Sequence, residues 1–369
     1  MKNFILPDYS NCNINISATL AEFLGAPNVN KTLPELKKEL QKNYKNIVFI
    51  CLDGLGIYPI NQNLNKNDFL VKNIKQTLLS TFPSTTTNAT TSLMLNKLPL
   101  EHGWFGWSLN YKHLNRNINI FTDCDSWTNE KIDIDYSPIS DVDYYFYNTK
   151  TNYNINSVFP TYVKVKNTSI NNTYESDKEF FENILKICNK KDKQFIYAYN
   201  PEPDSTMHLY GVSSNEAKEV IKNLSNNVLE LYNNTKNTLF IITADHGQID
   251  VKGYINLYED KTLMDMLEIY PFLEARAPAF IVKKDKHKEF ETYFNLKYGK
   301  DFILHKSQDL IDAGYFGNVG DKGYLLGDYI AIGTSTHKQA LLSPCMTKFK
   351  GHHTSITEEM KVPLILINN

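Results

Sequence analysis

Three short stretches of this chain each end an apolar run in a carboxylate. "NIVFICLDGLG" places Asp53 just after residues 47–52, "QFIYAYNPEPDSTMH" places Asp204 four residues before His208, and "NTLFIITADHGQ" ends in Asp245 and His246. A fourth stretch, "KFKGHHTSITEEMKVPLILI", sets His352 and His353 shortly before another apolar run. A single Asp at such a place is as readily a turn residue or a helix cap. Three of them, two with an imidazole nearby, are harder to attribute to capping. Three carboxylates and at least three imidazoles form a donor set suited to zinc or manganese more than to calcium or magnesium. That is too many ligands for one tetrahedral ion and suitable for two, and two ions about 3.5 to 4 Å apart clamp an in-line displacement at phosphorus.

Such a centre needs a nucleophile. "STFPSTTTNATTSLML" presents the hydroxyls of Thr85, Thr86 and Thr87 after Pro83, before a segment that reads as a helix with Leu93 and Met94 turned inward. A hydroxyl at a helix N-terminus faces free backbone amides and the positive end of the dipole, which suits an incoming phosphate. The same cluster also reads as an ordinary helix cap, and local sequence leaves open which threonine would act.

The elements that must position these residues follow from hydrophobic period. Residues 47–52 are a short, continuous apolar run rich in β-branched and aromatic types, as expected of a buried strand. "QFIYAY", Leu239 to Ile242 and "VPLILI" at 362 to 367 repeat the pattern. Val220, Leu224, Val228 and Leu231 lie at helical spacing between two of these runs, with Ser213 or Ser214 as cap. Strand, helix, strand implies a parallel pair, and in open α/β sheets ligands bind beyond the carboxyl ends of the strands. Asp53, Asp204, Asp245 and His246 are therefore expected on one edge. "TLPELKKELQ" predicts a helix with Thr32 as cap, Pro34 in the first turn and Glu35 closing a capping box. "YLLGDYIAIG" reads as a strand pair or a bulged strand.

With 369 residues, 42% of them hydrophobic, the chain can bury the core of one large α/β domain. Lys+Arg of 39 against Asp+Glu of 41 excludes a global basic field, so neither a nucleic-acid polymer nor an anionic membrane is expected as partner. The five cysteines are scattered, odd in number and without a CxxC pair, which predicts free thiols, with Cys51 and Cys188 in the core. No window approaches the roughly 18 to 20 apolar residues of a membrane span, and the N-terminus lacks the apolar core of a secretory signal. A cytoplasmic protein is expected.

The ordered set "ICLDGLG", "FPSTTTNATTSL" followed by "LPLEHG", "EPDSTMH", "ITADHG" and "GHHTSITEEMKVPLI" resembles the alkaline phosphatase superfamily, in particular its type I phosphodiesterase/nucleotide pyrophosphatase branch, from about residue 47 to 368. Each motif is weak alone; five in the right order are specific. The resemblance implies a three-layer α/β fold with a central, mainly parallel sheet and a small cap or insertion, in one catalytic domain over 1–369. It implies that Thr86, three residues after the proline, is the nucleophile. It also implies that Asp53, Thr86, Asp245 and His246 surround one divalent ion and that Asp204, His208 and His353 bind the other. The ions would be zinc, with manganese as the alternative. His353 fits the family's Gly-x-His pattern, with His352 as its neighbour and competitor, and His102 of "EHG" looks structural. The implied reaction is hydrolysis of a small phosphodiester or nucleotide pyrophosphate through a covalent threonine intermediate.

Departures from the family bear on substrate. Where relatives place an asparagine five residues after the histidine of "EHG", this chain has Trp107, with Asn110 nearby as a possible substitute for the phosphoryl contact. The segment of about 104–174 is rich in aromatic residues whose rings could stack on a planar leaving group or simply pack. The stretch of about 250–350, a possible cap, carries few catalytic signals, although Lys322 or His337 could reach substrate. A sulfatase is disfavoured because no C-x-P-x-R sequence is present, and a cofactor-independent mutase favours a serine nucleophile. A phosphomonoesterase of the same superfamily, or a catalytically silent metal- or nucleotide-binding module, stays as the alternative.

Overall fold

Apolar runs this short, bounded by turn residues, bury themselves as strands rather than helices. In the computed structural model, which describes residues 4–133, 144–147, 149–163 and 171–369, they form one central sheet. Numbered along the chain, its strands are β1 (Asn46–Leu52), β2 (Ile74–Leu79), β6 (Asn154–Pro160), β7 (Asn171–Tyr174), β8 (Gln194–Asn200), β9 (Thr238–Thr243) and β18 (Lys361–Asn368), in the order β2-β18-β9-β1-β8-β6-β7. Only β18 runs against its neighbours. The other adjacent pairs are parallel, and Cys51 of β1 lies level with Tyr199 of β8 and Thr243 of β9. This register brings the carboxyl ends of the three acid-bearing strands to one edge. All seven residues of β1 are buried, so both faces of the sheet are covered, as a parallel sheet requires. The fold is the mixed α/β architecture expected from the sequence.

The helix Asn215–Asn234 packs on 177–188, 57–63 and 204–210, while Ile14–Leu24 packs on 34–40 and 86–95. Ser214 rather than Ser213 caps the long helix, its Oγ accepting from the Ala217 amide at 3.0 Å. The cap expected of Thr32 does not form. That helix starts at Pro34 with Leu33 in extended geometry before it, which shifts Glu35 out of the third helical position and so breaks the capping box. Cys12, Cys51 and Cys188 are buried, and all five thiols are free. Among the described residues, no helix is long and apolar enough to cross a membrane.

A second sheet unites the two regions read as insertion and cap. Its strands β3 (Ser108–Tyr111), β4 (Arg116–Asn119) and β5 (Cys124–Asp125) join β12 (Phe272–Glu274), β13 (Ala277–Phe280), β14 (Phe302–Lys306) and β15 (Tyr329–Gly333), in the order β14-β15-β13-β12-β3-β4-β5. Every adjacent pair is antiparallel. Of "YLLGDYIAIG" only the second half is strand: residues 322–326 form a 3-10 turn, and Gly327 at φ 69° redirects the chain before β15. The pair β10 (Ile249–Asp250) and β17 (Gly351–His352) and the pair β11 (Gly253–Asn256) and β16 (Lys338–Leu341) link the two sheets' ends. Most described aromatic residues of 104–174 are packing elements, such as Trp127 against Tyr270 and Phe146 stacked on Tyr197; positions 134–143, 148 and 164–170 lie outside the described residues.

Around the second sheet, Asp260 collects several donors. Its carboxylate caps the helix Lys261–Asp265 through the Leu263 amide and accepts from the hydroxyls of Tyr293 and Tyr298 and from the Lys297 ammonium. Burial opposes ionisation here, but these donors hold its pKa below the ordinary carboxylate value. Asp260→Ala is expected to cost about 2 kcal/mol in urea unfolding, from the lost cap and the stranded donors. Because the folded-state pKa is depressed, this contribution is complete above the ordinary carboxylate range and is lost as pH falls through the folded value. The gap between wild type and variant should therefore narrow in acid.

Candidate active site

The register of β1, β8 and β9 delivers Asp53, Asp204 and Asp245 to the same edge, and backbone contacts then lock the loops together. The Asp53 amide donates to the Asn200 carbonyl at 2.9 Å, and the Asp204 amide donates to the Asp53 carbonyl at 3.1 Å. Gly54 turns at φ 71°, donates to Asp245 Oδ1 at 3.1 Å, and leaves no room for a side chain: an added Cβ would lie 3.0 Å from Asp204 Cβ. Gly54→Ala should therefore force the strained conformation and push the carboxylate loops apart. A loss of about 1 to 3 kcal/mol in chemical denaturation is expected, together with weakened divalent-metal binding in a chelator titration.

Only one of the three threonines is placed for chemistry. Thr85, in extended geometry before the helix Thr86–Leu95, donates its hydroxyl to Glu274 Oε1 at 2.6 Å, and Thr87 is fully buried. Thr86, the first residue of the helix and half-buried, sets Oγ1 3.1 Å from His246 Nε2 and 3.3 Å from Asp53 Oδ2. Helix amides and the positive dipole end surround that hydroxyl.

Three imidazoles present the same nitrogen to the cluster for the same reason. Nδ1 of His208 lies 2.8 Å from the Gly351 carbonyl, that of His246 3.0 Å from the Gly247 carbonyl, and that of His353 3.1 Å from the Ser84 carbonyl. A carbonyl only accepts, so each Nδ1 carries a proton and donates it. In the neutral ring this leaves the Nε2 lone pair free, and the carbonyl behind the ring fixes the direction in which that lone pair points, as in metal-ligating histidines. Nε2 of His208 is 3.2 Å from Asp204 Oδ2, that of His246 is 3.4 Å from both Asp53 and Asp245, and that of His353 is 4.0 Å from Asp204 Oδ1.

Ligand atoms of Asp53, Asp245 and His246 lie within 4.8 Å of one another, as do those of Asp204, His246 and His353 and those of His208, His352 and His353. Burial, then the neighbouring charges of Asp245 and Asp204, pushes the Asp53 carboxyl well above its usual range, and burial raises Asp245 too. Burial would also raise Asp204, but the His208 charge and hydrogen bond hold it at about 2; Asp204 in turn raises His208 against burial. Asp245 Oδ2 accepts no hydrogen bond although fully buried. Crowded, desolvated carboxylates beside lone-pair nitrogens are the donor set that divalent cations satisfy, so the residues fit two such ions.

All seven sequence-assigned ligand and nucleophile positions thus converge. The substrate contacts are placed differently. Asn110, a possible substitute for the phosphoryl contact, has its amide donating to Asn117 Oδ1 at 2.8 Å within the β3–β4 hairpin. Trp107 is partly exposed, with its amide donating to Glu274 Oε1 at 2.8 Å, one hydrogen bond removed from Thr85. Lys322 pairs with Asp321, and His337 sits at a turn before β16. His102 is structural: its Nδ1 accepts from the Trp104 amide, its Nε2 faces Ser92 Oγ at 2.9 Å, and burial drives its pKa down to about 3.

Four residues around the centre had no motif to announce them. Tyr199 donates to Asp53 Oδ2 at 2.5 Å, and Gln248 donates to Asp204 Oδ1. Strand alternation could have found Tyr199, and position three after Asp245 could have flagged Gln248. Glu274, with its pKa raised to about 7 by burial, reaches the nucleophile loop from the second sheet, where nothing in sequence points to it. Tyr162 is exposed, and desolvation followed by the charges of Asp53, Glu202 and Asp204 pushes its phenol up to about 12.

Comparison with known proteins bears on the family and the fold. The chain aligns at 27% identity over 151 residues with rat ectonucleotide pyrophosphatase/phosphodiesterase family member 7, a match spanning 38% of this chain and 30% of that relative's length. Its fold is similar to murine ectonucleotide pyrophosphatase/phosphodiesterase 5, solved as an inactive variant in complex with AMP, with TM-score 0.66, 16% identity and 87% of each chain covered. Phosphonoacetate hydrolase from Sinorhizobium meliloti, in complex with phosphonoformate, is similar at TM-score 0.63 and 13% identity over 86% of this chain and 89% of that one. Residues 47–320, well over half of the sequence, match the model of one family, and the chain belongs to it: the type I phosphodiesterase/nucleotide pyrophosphatases, a family of phosphoric ester hydrolases.

Proposed function

We propose that this protein hydrolyses small phosphodiesters or nucleotide pyrophosphates with Thr86 as nucleophile. The observation that carries the reading is the half-buried Thr86 hydroxyl at a helix N-terminus, 3.1 Å from His246 and 3.3 Å from Asp53, while Thr85 and Thr87 are turned away or sealed. Asp53, Asp245 and His246 with Thr86 would hold one divalent cation, and Asp204, His208 and His353 the other. Bound there, two cations, zinc first and manganese as the alternative, supply the Lewis-acid charge that lowers the threonine pKa and offsets the phosphoryl oxygens.

The chain's own groups do the rest. Thr86 Oγ1, its proton lost to solvent, forms a bond to phosphorus as the bond to the leaving oxygen breaks, giving a phospho- or nucleotidyl-threonine, and the leaving oxygen takes up a proton from solvent. The helix amides face the oxygens that gain charge in this step. Water then attacks phosphorus and Thr86 is restored.

The test is turnover of the nitrophenyl ester of thymidine monophosphate against nitrophenyl phosphate, with zinc or manganese added. Metal-dependent cleavage of the diester in excess of the monoester is expected. Preference for the monoester would place the protein with the phosphatases, and binding of metal with no turnover of either compound would make it a silent binding module.

A further inference from the structure

Among the described residues, one buried imidazole at this centre has no hydrogen-bond partner. Three histidines have Nδ1 tied to a backbone carbonyl. His352 is only 4% exposed, yet neither of its ring nitrogens makes a hydrogen bond. A buried polar group left in that state carries the full cost of its desolvation, so a side chain that could be replaced by an apolar one needs another reason to be there. Its ring forms a triangle with those of His208 and His353, whose centroids lie 5.2 Å and 4.9 Å from it and 5.2 Å from each other. Its ligand nitrogen lies within 4.8 Å of theirs.

We propose that His352 is a direct ligand of the second divalent ion, so that this ion is held by Asp204, His208, His352 and His353. The inference rests on the two-metal reading above and adds to it a donor which the Gly-x-His pattern does not assign. Gly351 and His352 pair with Asp250 and Ile249, which fixes the backbone of His352 across from the β9 loop. The strand pairing ends at His352 and His353 lies just beyond it, so the alternation of faces along an extended strand does not apply across this pair of histidines. The two centres then differ in character. One has two carboxylates, one imidazole and a hydroxyl; the other has one carboxylate and three imidazoles, a softer set that favours zinc or cobalt over magnesium.

The full chain, labelled with ¹⁵N-histidine, permits a direct count. The sequence has nine histidines, and zinc coordination displaces the ring ¹⁵N resonances of its ligands. His352→Phe identifies one signal by its absence, and His352→Gln serves if the larger ring is not accommodated. Four ring systems moving on zinc addition to wild type, one of them absent in the variant, is the expected result. A companion chelator competition should show one of two zinc ions weakened at least about tenfold in the variant, because even an outer-shell partner of a metal site is worth about 10 to 100-fold. Three moving rings, with that of His352 unchanged, overturns the proposal and leaves the two-metal reading standing. Fewer than three moving rings removes the two-metal reading and this proposal with it. The number of moving rings is read in wild type, and a variant is needed only to assign the His352 signal.

Discussion

Thr86→Ala is expected to lower turnover of the diester by on the order of 10³ to 10⁶-fold, because loss of a nucleophile removes the whole covalent pathway rather than one contact. The fold should be unaffected. Thr86 is half-buried, and alanine suits the first position of its helix, so denaturation midpoints should lie within about 0.5 kcal/mol of wild type. Metal content should also persist, since Asp53, Asp245 and His246 remain. Thr86→Ser retains the hydroxyl and should retain measurable turnover. The comparison with Thr85→Val and Thr87→Val gives the assignment its force: both lack a hydroxyl in the cluster, so neither should show the Thr86 effect. Turnover by Thr86→Ala at the wild-type rate would sink the mechanism.

Arg276→Ala is expected to have the largest effect on stability, about 3 to 5 kcal/mol. Arg276 is fully buried, and it donates from Nε to Glu359 at 3.3 Å and from its terminal nitrogens to the carbonyls of Lys338 and Thr334. Its amide donates to Thr354 Oγ1 at 3.1 Å. Glu359 in turn accepts from the Ser355 amide and the Thr357 hydroxyl, and its carbonyl accepts from Gly247 next to His246. Removing the guanidinium leaves a buried carboxylate uncompensated and loosens the segment that carries His353. Urea unfolding measures the first consequence, and a chelator titration measures the second as weaker zinc binding. The double variant Arg276→Met with Glu359→Gln should recover part of the loss, since no charge is then stranded. A double variant no more stable than Arg276→Ala would show that the cost is packing and not the charge.

These two residues mark the boundary between what sequence and tertiary structure decide. The identity and order of the ligands are local facts: an apolar run that ends in Asp is a buried strand ending in Asp, whatever surrounds it, and parallel strands bring their carboxyl ends to one edge. Asp53, Asp204, Asp245, His246 and His208 were legible for that reason, and the strands at 46–52, 194–200, 238–243 and 361–368 appear where the hydrophobic pattern put them. The choice among Thr85, Thr86 and Thr87 could be made from family register but not from local chemistry. Tertiary packing supplies the physical distinction by sealing Thr87 and giving Thr85 to Glu274.

What sequence could not show depends on contacts between distant segments. Leu273 and Ser108 are 165 residues apart, yet their pairing turns two apparent insertions into one sheet and brings Glu274 against the nucleophile loop. No period within either segment encodes that meeting. The Arg276–Glu359 pair and the unpartnered ring of His352 likewise exist only once the segment 351–359 has folded across both sheets. By itself the sequence determined which chemical groups are present and which strand ends carry them, because hydrophobic period is written locally. The tertiary structure alone decided which groups are desolvated, paired or left with a free lone pair, because burial and partnership belong to pairs of residues far apart in the chain.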